Sequence, residues 1–210
     1  MPSLVFLLSP ANCRGRRAQQ VMSETSASAV AIGLRSPSGV PVGELFAQLS
    51  GLYFRGKLVY AQRFGRKPAG AETAAFVITP DRGLIAADSR VGLDTLHAFG
   101  AAEIRLDNPA YRRPLEETAA ALASVPDAAE FVLLGSVASE KYVEVLGRAF
   151  GPRLKFPAEF VGRGDMSRGG LLLRAAAAGR ELEYVPVIGA VRRGCRPPRL
   201  EPLRRVPRSA

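Results

Sequence analysis

The chain has 210 residues, of which 47% are hydrophobic and 23% are charged, a balance typical of one folded domain rather than of a disordered protein. Lysine and arginine outnumber the acids by 29 to 19, and the resulting net charge of +10 favours an anionic partner. Two cysteines and one histidine are too few for a zinc site, and no apolar run approaches the roughly 20 residues of a membrane span.

The beginning of the chain predicts a buried strand followed by helices. The apolar run at residues 4–8 ends at a Ser-Pro pair and is typical of a strand buried on both faces. It is too short for a signal peptide, so we expect a cytoplasmic protein without a membrane anchor. Periodic segments then predict three helices, at residues 16–34, 42–49 and 52–64. A second buried strand is expected at residues 75–79 and a short helix at residues 93–99.

The second half of the chain predicts an alternation of strands and helices. Residues 103–106 are expected to form a short, partly exposed strand, and residues 114–124 a helix with proline in its first turn. Four further elements are then predicted, which are strands at residues 130–134 and 153–156 and helices at residues 139–150 and 165–178. A last strand at residues 182–188 contains Pro186, which favours a sheet edge. This order predicts a single α/β domain over residues 1–188, with a mostly parallel or mixed sheet flanked by helices.

A basic C-terminal arm is expected after this domain. Residues 189–210 contain seven arginines and one glutamate, which gives the segment +6 of the total net charge. Its four prolines discourage helix and strand, so we expect flexible or extended chain. Such an arm would neutralise phosphates without selecting a base sequence, and a solubilising tail is the alternative interpretation.

Polar and glycine-rich turns follow four of the predicted strands. In parallel α/β sheets ligands collect at the carboxyl ends of strands, so these turns predict one pocket. The residues expected to line it are Ser9, Cys13, Thr79, Gly135, Ser136, Gly162, Gly164 and Ser167. The last turn is the most informative, because its glycines allow close approach of a ligand and the following helix offers free N–H groups to an anion. Its spacing matches neither the ATP-binding nor the dinucleotide-binding glycine motif.

Several side chains of these turns are candidates for catalysis. Asp81 and Asp165 are the acids best placed to act as a general base, although a turn or a helix cap also accounts for each. Asp165 or Ser167 is expected to cap the helix that follows. Cys13 precedes three arginines, which would lower the pKa of its thiol, but no partner base is evident. His97 lies in a plain helical pattern and is expected to be structural.

Basic residues near the same turns are candidates for binding phosphate. The helix predicted at residues 52–64 mixes aromatic and basic side chains, a pattern that suits base stacking beside phosphate contacts. We expect its basic groups to point away from the apolar face, and a core helix with one basic face is the alternative. The candidate ligands of nucleic acid are Arg55, Lys57, Lys141, Arg163, Arg168, Arg192 and Arg193.

Taken in order, short segments of the chain resemble the YaaA (peroxide stress) family. LSPA at residues 8–11 is similar to the start of that family's SPAK motif, with asparagine in place of the lysine. The other similar segments are LY and YA within residues 52–61, ITPDRGL at 78–84, LGSVASEKY at 134–142 and GRGDMSR at 162–168. The resemblance implies a mixed α/β fold, DNA binding and a distant kinship with enzymes that handle nucleobases.

These observations leave three functions open. The first is a nucleic-acid-binding protein, with DNA as the expected partner, acting in a stress response or in base modification or repair. The second is an enzyme on a nucleobase, a nucleotide or another phosphorylated small molecule, in which Asn12 would recognise a base edge and Asp81 or Asp165 would serve as base. The third is a module whose basic tail binds an acidic protein. No cofactor is expected for any of them.

Overall fold

A six-stranded mixed sheet lies at the centre of the structure. The computed structural model describes residues 2–125 and 129–200. The strands of this part of the chain are β1 (Leu4–Leu8), β2 (Val40–Pro41), β3 (Ala75–Ile78), β4 (Leu84–Ala86), β5 (Arg90–Val91), β6 (Glu130–Leu134), β7 (Leu154–Pro157) and β8 (Tyr184–Pro186). Their order across the sheet is β4-β3-β1-β6-β7-β8, while β2 and β5 form a separate antiparallel pair.

The four inner strands run parallel. The first strand pairs with β3 on one side and with β6 on the other, and β6 pairs in turn with β7. All five residues of β1 are buried, as expected for a central strand covered on both faces. The outer strands β4 and β8 are antiparallel to their neighbours. The carboxyl ends of β3, β1, β6 and β7 therefore meet at one edge of the sheet, and the predicted α/β fold with a mixed sheet is confirmed.

Helices cover this sheet. They are α1 (Arg16–Met22), α2 (Ala29–Arg35), α3 (Val42–Ser50), α4 (Leu52–Phe64), α5 (Leu93–Ala101), α6 (Pro109–Ala123), α7 (Glu140–Phe150) and α8 (Asp165–Ala177), with single 3₁₀ turns at Gly151–Arg153 and Ala158–Phe160. The most extensive helix contact joins α4 to α8, and α4 also packs on β1. Within the described residues, no helix is both long and apolar enough to cross a membrane.

Two glycines let α4 and α8 approach closely. A Cβ atom on Gly56 would lie 2.7 Å from the carbonyl oxygen of Gly169, and one on Gly169 would lie 2.7 Å from the Cα atom of Tyr53. Contacts this short exclude any side chain larger than hydrogen at either position. The crossing fixes the first turns of α8 against the middle of α4, beside the carboxyl edge of the sheet.

Three sequence predictions about the elements were wrong for local reasons. The single helix expected at residues 16–34 is two helices separated by a short break. The second helix begins after Ser28, because the Ser28 hydroxyl caps it by accepting a hydrogen bond from the Ala31 N–H at 3.2 Å. The helix predicted from residue 114 begins at Pro109, where Asn108 caps it, so that Pro114 lies inside it. Residues 103–106 form no strand, because the Asn108 side chain bonds the Glu103 carbonyl at 2.7 Å and closes a turn.

The described part of the C-terminal arm lies along the loop that precedes α8. Residues 190–200 contain neither helix nor strand. The Arg163 guanidinium donates a hydrogen bond to the Pro198 carbonyl at 3.4 Å, and Arg192 forms an ion pair with Glu140 at 3.1 Å. The remaining predicted arm, residues 201–210, lies outside the described residues. The described segment thus borders the edge of the fold at which α8 begins.

Candidate functional site

A cleft of about 590 Å³ opens at the carboxyl edge of the parallel strands. The ends of β1 and β6 and the starts of α4, α7 and α8 enclose it. The polar and aromatic residues that line it are Ser9, Asn12, Ser50, Tyr53, Ser136, Ser139, Lys141, Tyr142 and Asp165. The structure therefore brings together five of the residues singled out in the sequence, namely Ser9, Asn12, Ser136, Lys141 and Asp165. Hereafter we call this space the cleft.

Lys57 lies beneath the cleft and is only 1% exposed. Its amine is 2.6 Å from the carbonyl oxygen of Ser9 and 3.0 Å from the Ser9 hydroxyl. The same amine lies 4.3 Å from the ring centre of Tyr53 and 4.7 Å from that of Phe54. The prediction that Lys57 points away from the core and contacts phosphate was wrong, because it falls on the buried face of α4.

Burial sets the charge state of this lysine. Removal from water lowers the pKa of Lys57 from 10.5 to about 7. Asp165 acts in the opposite direction, whereas the positive charge of Arg168 lowers the pKa further. A large fraction of the Lys57 amines is therefore neutral near physiological pH, and a neutral amine can accept a proton.

Arg168 ties α8 to the neighbouring loop. It is 7% exposed, and its guanidinium donates to the Phe160 carbonyl at 3.1 and 3.3 Å. The same group lies 3.6 Å from the Asp165 carboxylate. Arg168 was predicted to contact nucleic acid, but in the structure its guanidinium is buried and bonded to the Phe160 carbonyl, which leaves it poorly placed to do so. Neither Asp165 nor Ser167 caps α8 with its side chain, and Gly164 takes the cap position.

Two tyrosines supply the aromatic surface of the cleft. Tyr53 is 7% and Tyr142 5% exposed, and burial raises the pKa of both phenols, so both stay protonated. The buried Tyr53 hydroxyl lies close enough to Arg168 for that guanidinium to act on it by charge and by hydrogen bonding, although the pair does not reach good hydrogen-bond geometry. Tyr111 anchors the start of α7 by donating to the Lys141 carbonyl at 2.8 Å.

The turn after β3 does not enter the cleft. The Thr79 hydroxyl donates to the Gly83 carbonyl at 2.9 Å and accepts from the Arg82 N–H at 3.1 Å, which closes the turn on itself. Burial raises the pKa of Asp81, but its carboxylate is not among the groups that line the cleft. The two acids expected to share one pocket, Asp81 and Asp165, are thus separated, and Asp165 alone remains beside the cleft.

Cys13 borders a second, smaller depression rather than the cleft. Burial and the nearby charge of Asp81 raise the pKa of its thiol to about 12. The prediction of a lowered thiol pKa was therefore wrong. Burial is the larger cause, and the Arg14 side chain is directed to the C-terminal end of α5, where it donates to the Ala101 carbonyl at 2.8 Å.

A basic groove of about 330 Å³ runs between α8 and the C-terminal arm. Four arginines line it, and among the described residues none of its lining groups is an acid. These arginines are Arg163, Arg174, Arg196 and Arg199. Gly164 and Ser167, two residues expected in the pocket, lie here, and the Arg163 guanidinium donates to the Ser167 hydroxyl at 3.2 Å. Hereafter we call this depression the basic groove.

Gly162 allows the C-terminal arm to pack closely against the loop that precedes α8. Its φ angle is +71°, and a Cβ atom there would lie 2.0 Å from the Cys195 carbonyl oxygen. Only glycine combines this backbone conformation with so close a contact. Gly135, which was also expected in the pocket, is not among the residues that line the cleft, but it packs against Ser9, because a Cβ atom on it would lie 2.8 Å from the Ser9 Cβ atom.

The other candidate phosphate ligands are dispersed. Arg55 is exposed and lines a separate depression together with Arg17 and Glu44. Arg193 is exposed on the arm, while Arg192 is engaged by Glu140. Lys141 alone lies at the cleft, with its amine 5.1 Å from the ring centre of Tyr142. Of the candidate phosphate ligands, Lys141 lines the cleft and Arg163 lines the basic groove, while Lys57 and Arg168 are buried beside them.

The sequence interpretation missed several residues of both depressions. Ser50 and Arg174 were not singled out at all. Tyr53, Ser139 and Tyr142 lie in segments that the sequence analysis considered, but they were not named as site residues. Arg196 and Arg199 were included only as part of the basic arm. One signal for the burial of Lys57 was available in the sequence. Tyr53, Lys57 and Tyr60 are spaced by four and three residues, which places all three on one face of a helix.

Comparison with known proteins yields no relatives. No protein-family model matches the chain, no curated protein matches it, and no solved structure matches it. In residues 2–125 and 129–200, no cluster of three or more histidine, cysteine or acidic side chains could hold a metal ion.

Proposed function

We propose that this protein binds nucleic acid, with DNA as the first candidate, by placing phosphates in the basic groove and a base in the cleft. One observation supports this proposal above the others. The basic groove and the cleft flank the start of α8, where Gly164 and Met166 border the groove and Asp165 borders the cleft. A nucleotide has two matching parts, an anionic phosphate and an aromatic, hydrogen-bonding base.

The chemistry of the basic groove supports the part of the proposal that places phosphates there. Guanidinium groups match phosphate oxygens through paired hydrogen bonds and keep their charge at every physiological pH. Arg196 and Arg199 are exposed, and no acid among the described lining residues competes for them. Phosphate contacts of this kind give affinity without choosing a base sequence.

The chemistry of the cleft supports the base half. Tyrosine rings offer surfaces on which bases stack, and each stacked base contributes about 1–3 kcal/mol to binding. Tyr53 and Tyr142 line the cleft with the small part of each ring that is exposed, and the exposed amide of Asn12 can pair with a base edge. A base can enter the cleft and stack on a tyrosine only when it is unpaired. The proposal therefore favours single-stranded over duplex nucleic acid.

The resemblance of the strand-end turns to the YaaA family agrees with this proposal. A part in a stress response or in base repair follows from that resemblance and belongs to the same proposal. The experiment addresses binding itself, because every such role depends on it.

Fluorescence anisotropy with a labelled oligonucleotide of about 12 nucleotides, at about 50 mM salt, tests the proposal. We expect tighter binding of the single strand than of the matching duplex. Replacement of Tyr142 by alanine should weaken the single-strand complex and reduce that preference. A double variant, Arg196→Gln with Arg199→Gln, should weaken both complexes.

Arg148→Gln is the matched control for charge. Arg148 lies near the end of α7, at the opposite edge of the sheet, and pairs with Glu144 at 3.0 Å. Its loss should leave binding unchanged. Absence of binding at low salt, where phosphate contacts are strongest, would refute the proposal.

A further inference from the structure

Ser9 is the residue at which β1 meets the cleft. Its hydroxyl is the side-chain group that the buried Lys57 amine reaches, at 3.0 Å, while the Ser9 carbonyl holds the same amine at 2.6 Å. Ser9 is 5% exposed and lines the cleft, whereas Lys57 is shielded from it. The hydroxyl therefore stands between a buried base and a space large enough for a ligand.

From this geometry we infer that Ser9 is a nucleophile, activated by Lys57, that attacks the carbonyl carbon of a carboxylic ester bound in the cleft. A serine that has an amine as its base is an established form of nucleophilic catalysis. The inference goes beyond nucleic-acid binding and does not depend on it. Ester hydrolysis needs water as its only co-reactant.

The environment of Lys57 suits a general base. The charged and titratable groups that face it are Asp165 and Arg168 from α8 and Tyr53 from its own helix, and the Ser9 hydroxyl, just after β1, is its neutral partner. Asp165 is exposed and lies 3.6 Å from Arg168, so the two charges oppose each other. Burial dominates and lowers the pKa to about 7, which leaves a lone pair on the amine. A neutral amine can donate to the Ser9 carbonyl and accept from the Ser9 hydroxyl at the same time.

The reaction balances in two steps. First, the Ser9 oxygen bonds to the ester carbonyl carbon as its proton passes to the Lys57 amine, and the ammonium then returns that proton to the departing alcohol oxygen. Second, a water molecule gives a proton to the neutral amine and bonds to the acyl carbon. The bond to Ser9 breaks, its oxygen regains the proton, and a carboxylic acid leaves.

Tyr53 is the group best placed to stabilise the oxyanion that forms on the carbonyl. Its ring lines the cleft, and its buried phenol stays protonated beside the Arg168 guanidinium, a donor that leaves the phenolic proton available for an acceptor. A donor that is already in place and shielded from water strongly stabilises developing negative charge. Lys141 at the same cleft favours esters that carry an anionic group.

A purely structural role for Lys57 predicts different chemistry. If the lysine only tied α4 to the end of β1, Ser9 would be an ordinary, unreactive hydroxyl. Reactivity at Ser9 that depends on Lys57 separates the two interpretations, and covalent labelling reports it without knowledge of the natural ester.

The test is incubation of the full chain with a small alkyl fluorophosphonate, followed by intact and peptide mass spectrometry across a range of pH. We expect one adduct on Ser9, formed at a rate that rises with pH and levels off above about pH 7, as the amine loses its proton. Ser9→Ala should abolish the adduct. Lys57→Met should slow its formation by about 100-fold or more.

Ser124→Ala, at the end of α6 and away from the cleft, is the control and should label like the wild type. Thermal unfolding of each variant checks that the fold is retained, and Ser9→Ala keeps the carbonyl that binds Lys57. No Ser9 adduct on the wild-type chain, or a rate that Lys57→Met leaves unchanged in a folded protein, would overturn the inference. Loss of oligonucleotide binding in the Arg196/Arg199 double variant with Ser9 labelling retained would show that the two proposals stand separately.

Discussion

Gly56 and Gly169 face each other where α4 crosses α8, and a methyl group on Gly56 would lie 2.7 Å from the Gly169 carbonyl oxygen. This contact holds Tyr53 and Lys57 against the first turns of α8. The arrangement of the cleft therefore depends on two residues that have no side chain.

Alanine at Gly169 should destabilise the protein, because the added methyl group would strike the α4 backbone. Overpacking of this kind costs about 1–3 kcal/mol of unfolding free energy. Gly147 on α7 is the matched control, since a Cβ atom there meets no described atom within 4 Å. Gly147→Ala should raise stability by about 0.5–1 kcal/mol. Urea unfolding measures both changes, and a neutral Gly169→Ala would show that the helices can separate freely.

The buried lysine should make stability depend on pH. The pKa of Lys57 is lowered in the folded chain from 10.5 to about 7, so between these values the unfolded chain binds more protons. Stability should therefore rise with pH across this window, by at most about 1.4 kcal/mol per pH unit, and stop rising above it. Chemical unfolding at several pH values, compared between wild type and Lys57→Met, isolates this contribution.

Lys67→Met is the control for that comparison, because Lys67 is exposed. Its pH profile should follow that of the wild type. Parallel profiles for the wild type and Lys57→Met would mean that Lys57 keeps an ordinary pKa when folded, and the general-base role would lose its support.

The two cysteines should differ sharply in reactivity. Cys13 is buried and its thiol pKa is raised to about 12, whereas Cys195 is exposed. Because the thiolate is the reactive form, iodoacetamide at about pH 8 should modify Cys195 alone in the folded protein. Cys195→Ser should then take up no label until denaturant is added. Rapid labelling of Cys13 in the native chain would contradict its burial.

Gly162 should control how the arm docks. Its φ of +71° and the 2.0 Å approach of the Cys195 carbonyl exclude a side chain, so Gly162→Ala should displace the arm from the loop. Limited trypsin digestion should then cut after Arg192 and Arg193 faster than in the wild type. Gly164→Ala is the control, because that position has open space around it. Equal rates for all three proteins would show that the arm is accessible without the substitution.

The sequence predicted the sheet better than it predicted the site. The run at residues 4–8 is apolar throughout, short and closed by Ser-Pro, which is typical of a strand buried on both faces, so β1 and its central place were predictable. The convergence of Ser9, Ser136 and Asp165 followed from the rule that parallel strands end at one edge. The same rule did not predict that Asp81 lies outside the cleft, because its position depends on how the Thr79 hydroxyl closes the turn after β3.

Contacts distant in sequence were the least predictable part. Ser9 and Lys57 are 48 residues apart, and no local motif joins them. Because a lysine on a helix is ordinarily exposed, Lys57 was predicted to lie on the surface. The helical spacing of Tyr53, Lys57 and Tyr60 instead places Lys57 on the buried face. The helix break before Ser28 was missed for a similar reason, since one capping serine decides it.

The salt dependence of the single-strand dissociation constant tests the central claim, that the basic groove binds phosphate, most directly. Each phosphate neutralised on a single strand contributes about −0.7 to the slope of the logarithm of the association constant against log salt, and therefore about +0.7 for the dissociation constant. The Arg196→Gln, Arg199→Gln double variant should therefore have a slope shallower by about 1–2 than the wild type, and Arg148→Gln an unchanged slope. Equal slopes for the wild type and the double variant would contradict the assignment of phosphate to the basic groove.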